Sequence, residues 1–524
     1  MRLPVRLPLR LPLRLPPLPK IRPVSAAYVA LAIAASAPAW IVKYPPMMDL
    51  PFHLATIRII HNLHDPAFGF EDNFVLTLGR TQYVFYYLLG SALAYLLGVV
   101  KANIVLMSGY LGGTVLALRT LCSALGRDER LSLFCVPLLV NAMFMFGLFP
   151  FLLGIPLMFL ALATAVRYFE VPNRRRALLL CALTLALFYS HIFPFALFGL
   201  GFAAMFPWRR PREWLWAATP VLPAFLVMGA WTLFTEAGKL TRGALTDSAR
   251  DPQKPVDQAL ADMHNWLTNV FADTSDDVIF VAFLAVILLA LGLQAGERSA
   301  AKPIARAYVA LPLLCLVLYF NSTEGHGYIW LIAQRFPILL FLTVIPLLPF
   351  PTGRRGWLAT GAIVSVGLAC IINTCRHFIA FQLTEVGDID GAIAAIPPAK
   401  RMCALIYDRG SRIIGGQWAP FLHFGSYYQV AKGGVAMFTY AGYAHWPLDF
   451  RPGHYPPPGG PARPRWEWTP ESVSIENEIA PYYDYVLTRG NGFHPPPRTF
   501  HTFWTGDKWT VWEREPTMGP RAGQ

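Results

Sequence analysis

The chain has 524 residues, 55% of them hydrophobic and 14% charged, with a mean hydropathy of +0.42. A soluble domain carries roughly a quarter charged residues, so this composition excludes a soluble protein, a disordered chain, a coiled coil and a secreted disulfide scaffold. What remains is a polytopic membrane protein. The net charge of +13 does not mark a nucleic-acid face. Its basic residues (Arg127 and Arg130, Arg174 to Arg176, Arg209, Arg210 and Arg212, Arg354 and Arg355) fill short gaps between apolar runs, as cytoplasmic loops do, and no recognition motif accompanies them. The seven cysteines show no CxxC spacing and predict no disulfide framework.

Residues 1–23 repeat Arg, Leu and Pro with a four-residue period. Proline at this density favours extended polyproline II, and the positive charge predicts a cytoplasmic tail. The first apolar run, 24–42, reads as an uncleaved anchor, although Ala37-Pro38-Ala39 imitates a signal-peptide cleavage site. Further apolar segments follow at 82–100, 102–121, 131–146, 148–168, 177–190, 192–206, 214–235, 277–294, 304–320, 336–350 and 357–381. A spanning helix needs about 20 apolar residues. With every basic gap placed inside, parity requires one segment not to cross, and 82–100 is read as a juxtamembrane or re-entrant helix on the outer side. That predicts eleven crossings over 24–381 and puts all 12 histidines at or beyond the outer face. Outer loops are then expected at 43–81, 236–276 and 321–335. After Phe381 the composition changes, and 382–524 reads as an extracytoplasmic α/β domain with a short helix at 386–396 and strands at 402–407, 485–488 and 509–512. The inner, cytoplasmic membrane is the predicted location.

The first outer loop is the most informative stretch. Asp49 precedes an amphipathic pattern (Leu54, Ile57, Ile60, Leu63) with Pro51 in its first turn, so Asp49 reads both as a helix N-cap and as a carboxylate held at the membrane surface for general-base work. His53 lies one turn away and is the assisting candidate. His53 and His61 are eight residues apart, about 12 Å along a helix, too far to share one metal ion. Arg335 opens a late apolar run at the outer surface. It reads either as a side chain snorkelling to lipid headgroups or as a clamp on a phosphate, for which guanidinium geometry is suited. His326 lies in the flexible stretch before it, and Arg80 is a second, weaker phosphate candidate. His191, in a short outward turn, reads as a cap between two helices or as a participant in the site. Trp418, Tyr427, Tyr428, Trp446, Trp466 and Trp468 read as core aromatics or as surfaces for sugar rings. No P-loop, GxSxG or zinc spacing occurs.

An outward Asp directly after the first transmembrane helix resembles the start of the first loop of the GT-C superfamily of membrane glycosyltransferases. The stretches Gln82-Tyr-Val-Phe-Tyr-Tyr, Phe146-Gly-Leu-Phe-Pro-Phe-Leu-Leu-Gly154-Ile-Pro156, Ser190-His191 and Gln334-Arg335-Phe336 are similar to bacterial members. The resemblance covers the layout of 24–381. It implies an inverting transfer of a hexosyl or pentosyl group from a polyprenyl-phosphate sugar to a glycan, lipid or protein acceptor, with Asp49 as general base. It further implies donor-phosphate binding by Arg335 with His326, and it leaves a divalent metal open. One departure is plain: many members carry two adjacent acids where Asp49 stands alone, and Glu71 and Asp72 are the candidates for the second acidic group. A non-catalytic transporter or scaffold for envelope polymers is the competing reading. The absence of an internal repeat and the scarcity of charge in the apolar segments weigh against a transporter.

Overall fold

A computed structural model describes residues 23–246, 254–294, 302–326, 329–415, 418–437, 439–456 and 465–516. The Arg/Leu/Pro tail over 1–22 lies outside the described residues. The chain is a multi-pass membrane protein, a helical bundle followed by a C-terminal sheet domain.

Among the described residues five helices are long and apolar enough to cross a membrane: Val99–Ala124, Phe149–Glu170, Ser275–Leu293, Ile304–Asn321 and Gly353–Thr384. Pro211–Ala218 and Leu222–Phe234 make a sixth if their 69° bend is counted within one span, and four shorter apolar helices accompany them. This is fewer full-length helices than the eleven crossings read from the sequence, because glycine and proline break several apolar runs. The clearest departure is 131–146. Instead of one α-helix, it forms the 3-10 helix Glu129–Leu138, with Pro137 inside it, and the short helix Ala142–Phe146, capped by Asn141. Helix Phe85–Leu97 has 13 residues, about 20 Å, short of the roughly 30 Å hydrocarbon core. It ends at Gly98, where φ is +75°.

The basic gaps gather at one end of the bundle. Lys302 Nζ pairs with Glu170 at 2.7 Å and donates to the Ala124 carbonyl at 3.0 Å. The Arg127 guanidinium donates to the carbonyls of Pro346, Leu347 and Leu348, and Arg130 lies over the Trp357 ring. Tyr168 donates to the Trp216 carbonyl, bringing the 208–212 gap to the same end.

The first loop and the C-terminal domain build the opposite end together. Helix Leu50–His61 is buried along most of its length, packed between Phe85–Leu97 and the C-terminal helix Ser426–Lys432. Strand Phe74–Leu76 pairs antiparallel with Leu448–Phe450, a contact between the first loop and the Pro-rich C-terminal loop. The Arg58 Nε donates to the Val430 carbonyl at 2.8 Å, and Trp446 Nε1 donates to Thr56 Oγ1 at 3.1 Å. The domain itself is a five-stranded mixed sheet. Arg401–Ile406 runs parallel to Val435–Ala436 and Tyr485–Arg489, and the hairpin of Phe500–Thr505 and Trp509–Arg514 completes it antiparallel. Helix Ile389–Ala395 precedes the sheet. The strands expected at 402–407, 485–488 and 509–512 are all present within a residue or two.

Candidate functional site

The position of Asp49 is set by the turn after Ala142–Phe146. That helix ends in Gly147 at φ +87°, a conformation L side chains avoid. Its last carbonyls take the backbone N–H groups of the first loop: Met48 donates to Met145 at 3.1 Å and Asp49 to Phe146 at 2.9 Å. A Cβ on Gly147 would stand 3.1 Å from the Leu50 nitrogen, so the close approach requires glycine.

Asp49 occupies the N-cap position of Leu50–His61, yet its side chain makes no capping hydrogen bond. The carboxylate turns toward the C-terminal domain instead. Tyr440 donates its hydroxyl to Asp49 Oδ2 at 2.6 Å, and His423 Nδ1 stands 3.0 Å from Oδ1 as an ion-pair contact. His423 is clamped from the far side, its Nε2 bonded to Glu467 Oε1 at 2.6 Å, and its ring stacks on Phe52 at 3.8 Å and 17°. Asp49 and His423 are each 4% exposed. Burial alone would lower the His423 pKa, but the two flanking carboxylates overcome it and push it up to about 9. His423 is therefore an imidazolium at neutral pH.

His53 stands beside this group without taking the assisting position expected for it. Its Nδ1 shares a 2.8 Å hydrogen bond with the Tyr87 hydroxyl, and its tie to Asp49 is through the backbone, His53 N–H to the Asp49 carbonyl at 3.2 Å. Burial pushes its pKa down to about 4 against the opposing Asp49 charge, so the ring is neutral.

A second cluster surrounds Arg335, which is 7% exposed and closes the turn Ala333–Arg335. Its guanidinium lies over the Phe193 ring at 4.7 Å and the Phe151 ring at 5.5 Å. Its Nε and Nη1 atoms have no hydrogen-bond partner, and neither has the neighbouring Gln334 Oε1. His191 accepts the Phe193 N–H at 3.1 Å as a helix cap, and its ring packs 4.8 Å from Tyr83 and 5.4 Å from Phe151. His445 packs 5.4 Å from Tyr83 on the other side. Trp446 joins the two clusters, with ring centroids 4.5 Å from Tyr440, 5.6 Å from His53 and 6.3 Å from His445.

The remaining sequence candidates lie elsewhere. Arg80 Nη1 is paired with Asp449 Oδ2 at 2.9 Å, which commits it to holding the C-terminal loop. Glu71 is exposed and pairs with His64 at 3.1 Å; Asp72 is exposed beside it. The acid that shares a network with Asp49 is Glu467, reached through His423. His326 lies in the two-residue strand Gly325–His326, and its side chain lies outside the described residues.

The chain as a whole is similar in fold to solved structures. Two crystal structures of ArnT from Cupriavidus metallidurans, one bound to undecaprenyl phosphate and one in the apo state, superpose on 95% of this chain and 100% of their own. Their TM-scores are 0.50 and 0.51, at 10% sequence identity. The chain has the GT-C fold. No family model matches the sequence, and no curated protein matches it.

Within this GT-C fold the polar centre is shared between the first loop and the C-terminal domain. Tyr440, His423 and Glu467 were not legible as site residues, because each is more than 370 positions from Asp49 along the chain. The nearest thing to a signal is His423 itself, set in the apolar run Phe421-Leu-His-Phe424, where a buried imidazole needs a polar partner. Among the described residues no three His, Cys, Asp or Glu side chains converge to hold a metal ion.

Proposed function

We propose that the protein is a glycosyltransferase that moves a sugar from a polyprenyl-phosphate donor to a hydroxyl acceptor at the end of the bundle opposite the basic loops. The observation that carries this reading is the presence, within the ArnT-like fold, of two clusters linked through Trp446: a buried carboxylate at the head of the first-loop helix, and a buried guanidinium with two unspent donor atoms. The acceptor oxygen attacks the anomeric carbon as the carbon–oxygen bond to phosphate breaks. Asp49 takes the acceptor proton, and the polyprenyl phosphate leaves as an anion. A single displacement inverts the anomeric configuration.

Arg335 has the chemistry for the leaving phosphate. Its planar fork matches phosphate oxygens, and in a site screened from water its charge stabilises the negative charge that develops there. An Arg that only snorkelled would keep its head in water; this one is buried among Phe151, Phe193 and Gln334. Undecaprenyl phosphate, found in one ArnT structure, is the donor lipid we expect. His191 caps the helix whose first turn carries Phe193 beneath the Arg335 guanidinium, and the Arg80–Asp449 pair ties the C-terminal loop to the first loop.

The test is mass spectrometry of envelope glycans and glycolipids from a deletion strain. Loss of one sugar's mass from one glycan, restored by the wild-type gene, supports transfer. An unchanged glycan profile favours a non-catalytic scaffold or transporter of the same fold.

A further inference from the structure

Asp49 Oδ1 and His423 Nδ1 stand 3.0 Å apart as an ion-pair contact, and neither atom has another hydrogen-bond partner. Oδ2, by contrast, is occupied by the Tyr440 hydroxyl. His423 itself is fixed by other means, Glu467 on Nε2 and Phe52 stacked on its face. A histidine serving only to fill the domain interface would not need a carboxylate at each nitrogen.

We infer that His423 is a positioning residue for Asp49: held by Glu467 and Phe52, it fixes the carboxylate by charge and leaves Oδ1 as the atom that accepts the proton. The inference rests on the glycosyl-transfer reading. It makes the C-terminal domain part of the reaction centre, because the group that orients the base arrives from that domain. The division of labour is chemical. Tyr440 holds Oδ2 through its hydroxyl, while the imidazolium attracts Oδ1, which as a carboxylate oxygen carries two lone pairs and can still take the acceptor proton.

The charged and titratable groups that face His423 are Asp49 from the first-loop helix, Glu467 from the turn Arg465–Glu467 and Tyr440, whose ring lies 6.4 Å away. The His423 charge in turn helps to lower the His53 pKa. Of these, only the two carboxylates favour the protonated ring.

The test uses the full chain in lipid nanodiscs with 15N-labelled histidine. The resonances that vanish in His423→Gln belong to His423. The expected result is a doubly protonated ring at pH 7.5 with a titration midpoint near 9, moved down by about one unit or more in Glu467→Gln and in Asp49→Asn. Glu467 is partly exposed, so its variant keeps the fold if His423→Gln does not. A neutral ring at pH 7.5 in the wild type, or a midpoint unmoved by both variants, overturns the inference. In the complemented deletion strain, Glu467→Gln is expected to restore the missing glycan to less than about a tenth of wild type; full restoration overturns the positioning role. Failure of the transfer reading itself looks different, since the wild-type gene then restores nothing while the histidine titration still gives its answer.

Discussion

The Tyr440 hydroxyl reaches Asp49 Oδ2 at 2.6 Å across 391 positions of the chain. This bond joins the first loop, folded against the bundle, to a loop of the C-terminal sheet domain, and Trp446 seals it from the side. Replacing Tyr440 with Phe keeps the ring but leaves a buried carboxylate oxygen without its donor, a loss of about 1–3 kcal/mol. The expected outcome is a folded protein with lowered stability and transfer reduced about tenfold or more. Thermal unfolding and glycan complementation measure the two effects separately.

The turn at Gly147 is the second point of control. Gly147→Ala puts a Cβ 3.1 Å from the Leu50 nitrogen at a φ of +87°, a strain of about 1–3 kcal/mol. The backbone of Met48 and Asp49 must then shift. Glycan restoration is expected to fall sharply, while Gly79→Ala, where an added Cβ meets nothing within 4 Å, is expected to behave as wild type.

Arg335 separates charge from geometry. Arg335→Lys keeps a cation but loses the planar fork, so binding of undecaprenyl phosphate in nanodiscs is expected to weaken about tenfold, and Arg335→Gln more. Equal binding by wild type and Arg335→Gln would remove Arg335 from the phosphate site.

Two histidines give stability opposite pH limits. His423 has a folded-state pKa near 9, above the ordinary value of 6.5, so its contribution is complete below about pH 6.5 and is lost as pH rises through 9. His53 is held down to about 4, so its contribution is complete above 6.5 and is lost as pH falls toward 4. The thermal midpoint of the purified protein is expected to be highest near pH 6.5. His423→Gln should flatten the alkaline side and spare the acid side; an unchanged alkaline side contradicts the assignment.

Much of the architecture was legible in the sequence because apolar length and charge placement are local properties. The long helices and the sheet strands of the C-terminal domain could be read that way, and the GT-C resemblance is borne out in the fold. The split of 131–146 was not legible. Its composition is as apolar as that of a spanning helix, and only Pro137 and the side-chain cap of Asn141 break it. The site was half legible. Asp49 and Arg335 stand out as charges at the ends of apolar runs, whereas Tyr440, His423 and Glu467 reach Asp49 only through tertiary packing. Glu71 and Asp72, chosen as second acids by proximity in sequence, are carried to the exposed surface by the strand Phe74–Leu76, while Glu467 arrives from the far end of the chain.

The placement of the basic residues predicts the orientation. The basic end is expected in the cytoplasm and the C-terminal domain outside it. A phosphatase fused after the C-terminal sheet is expected to be active only if that domain is exported. An inactive phosphatase, together with a fluorescent cytoplasmic reporter at the same position, would reverse the orientation.

The most direct measurement is glycan mass spectrometry of the deletion strain complemented with Asp49→Asn at wild-type membrane levels. The substitution keeps size and polarity and removes the proton acceptor. The account predicts that the missing sugar is not restored. Full restoration would contradict it and leave Asp49 as a structural link between the first loop and the C-terminal domain.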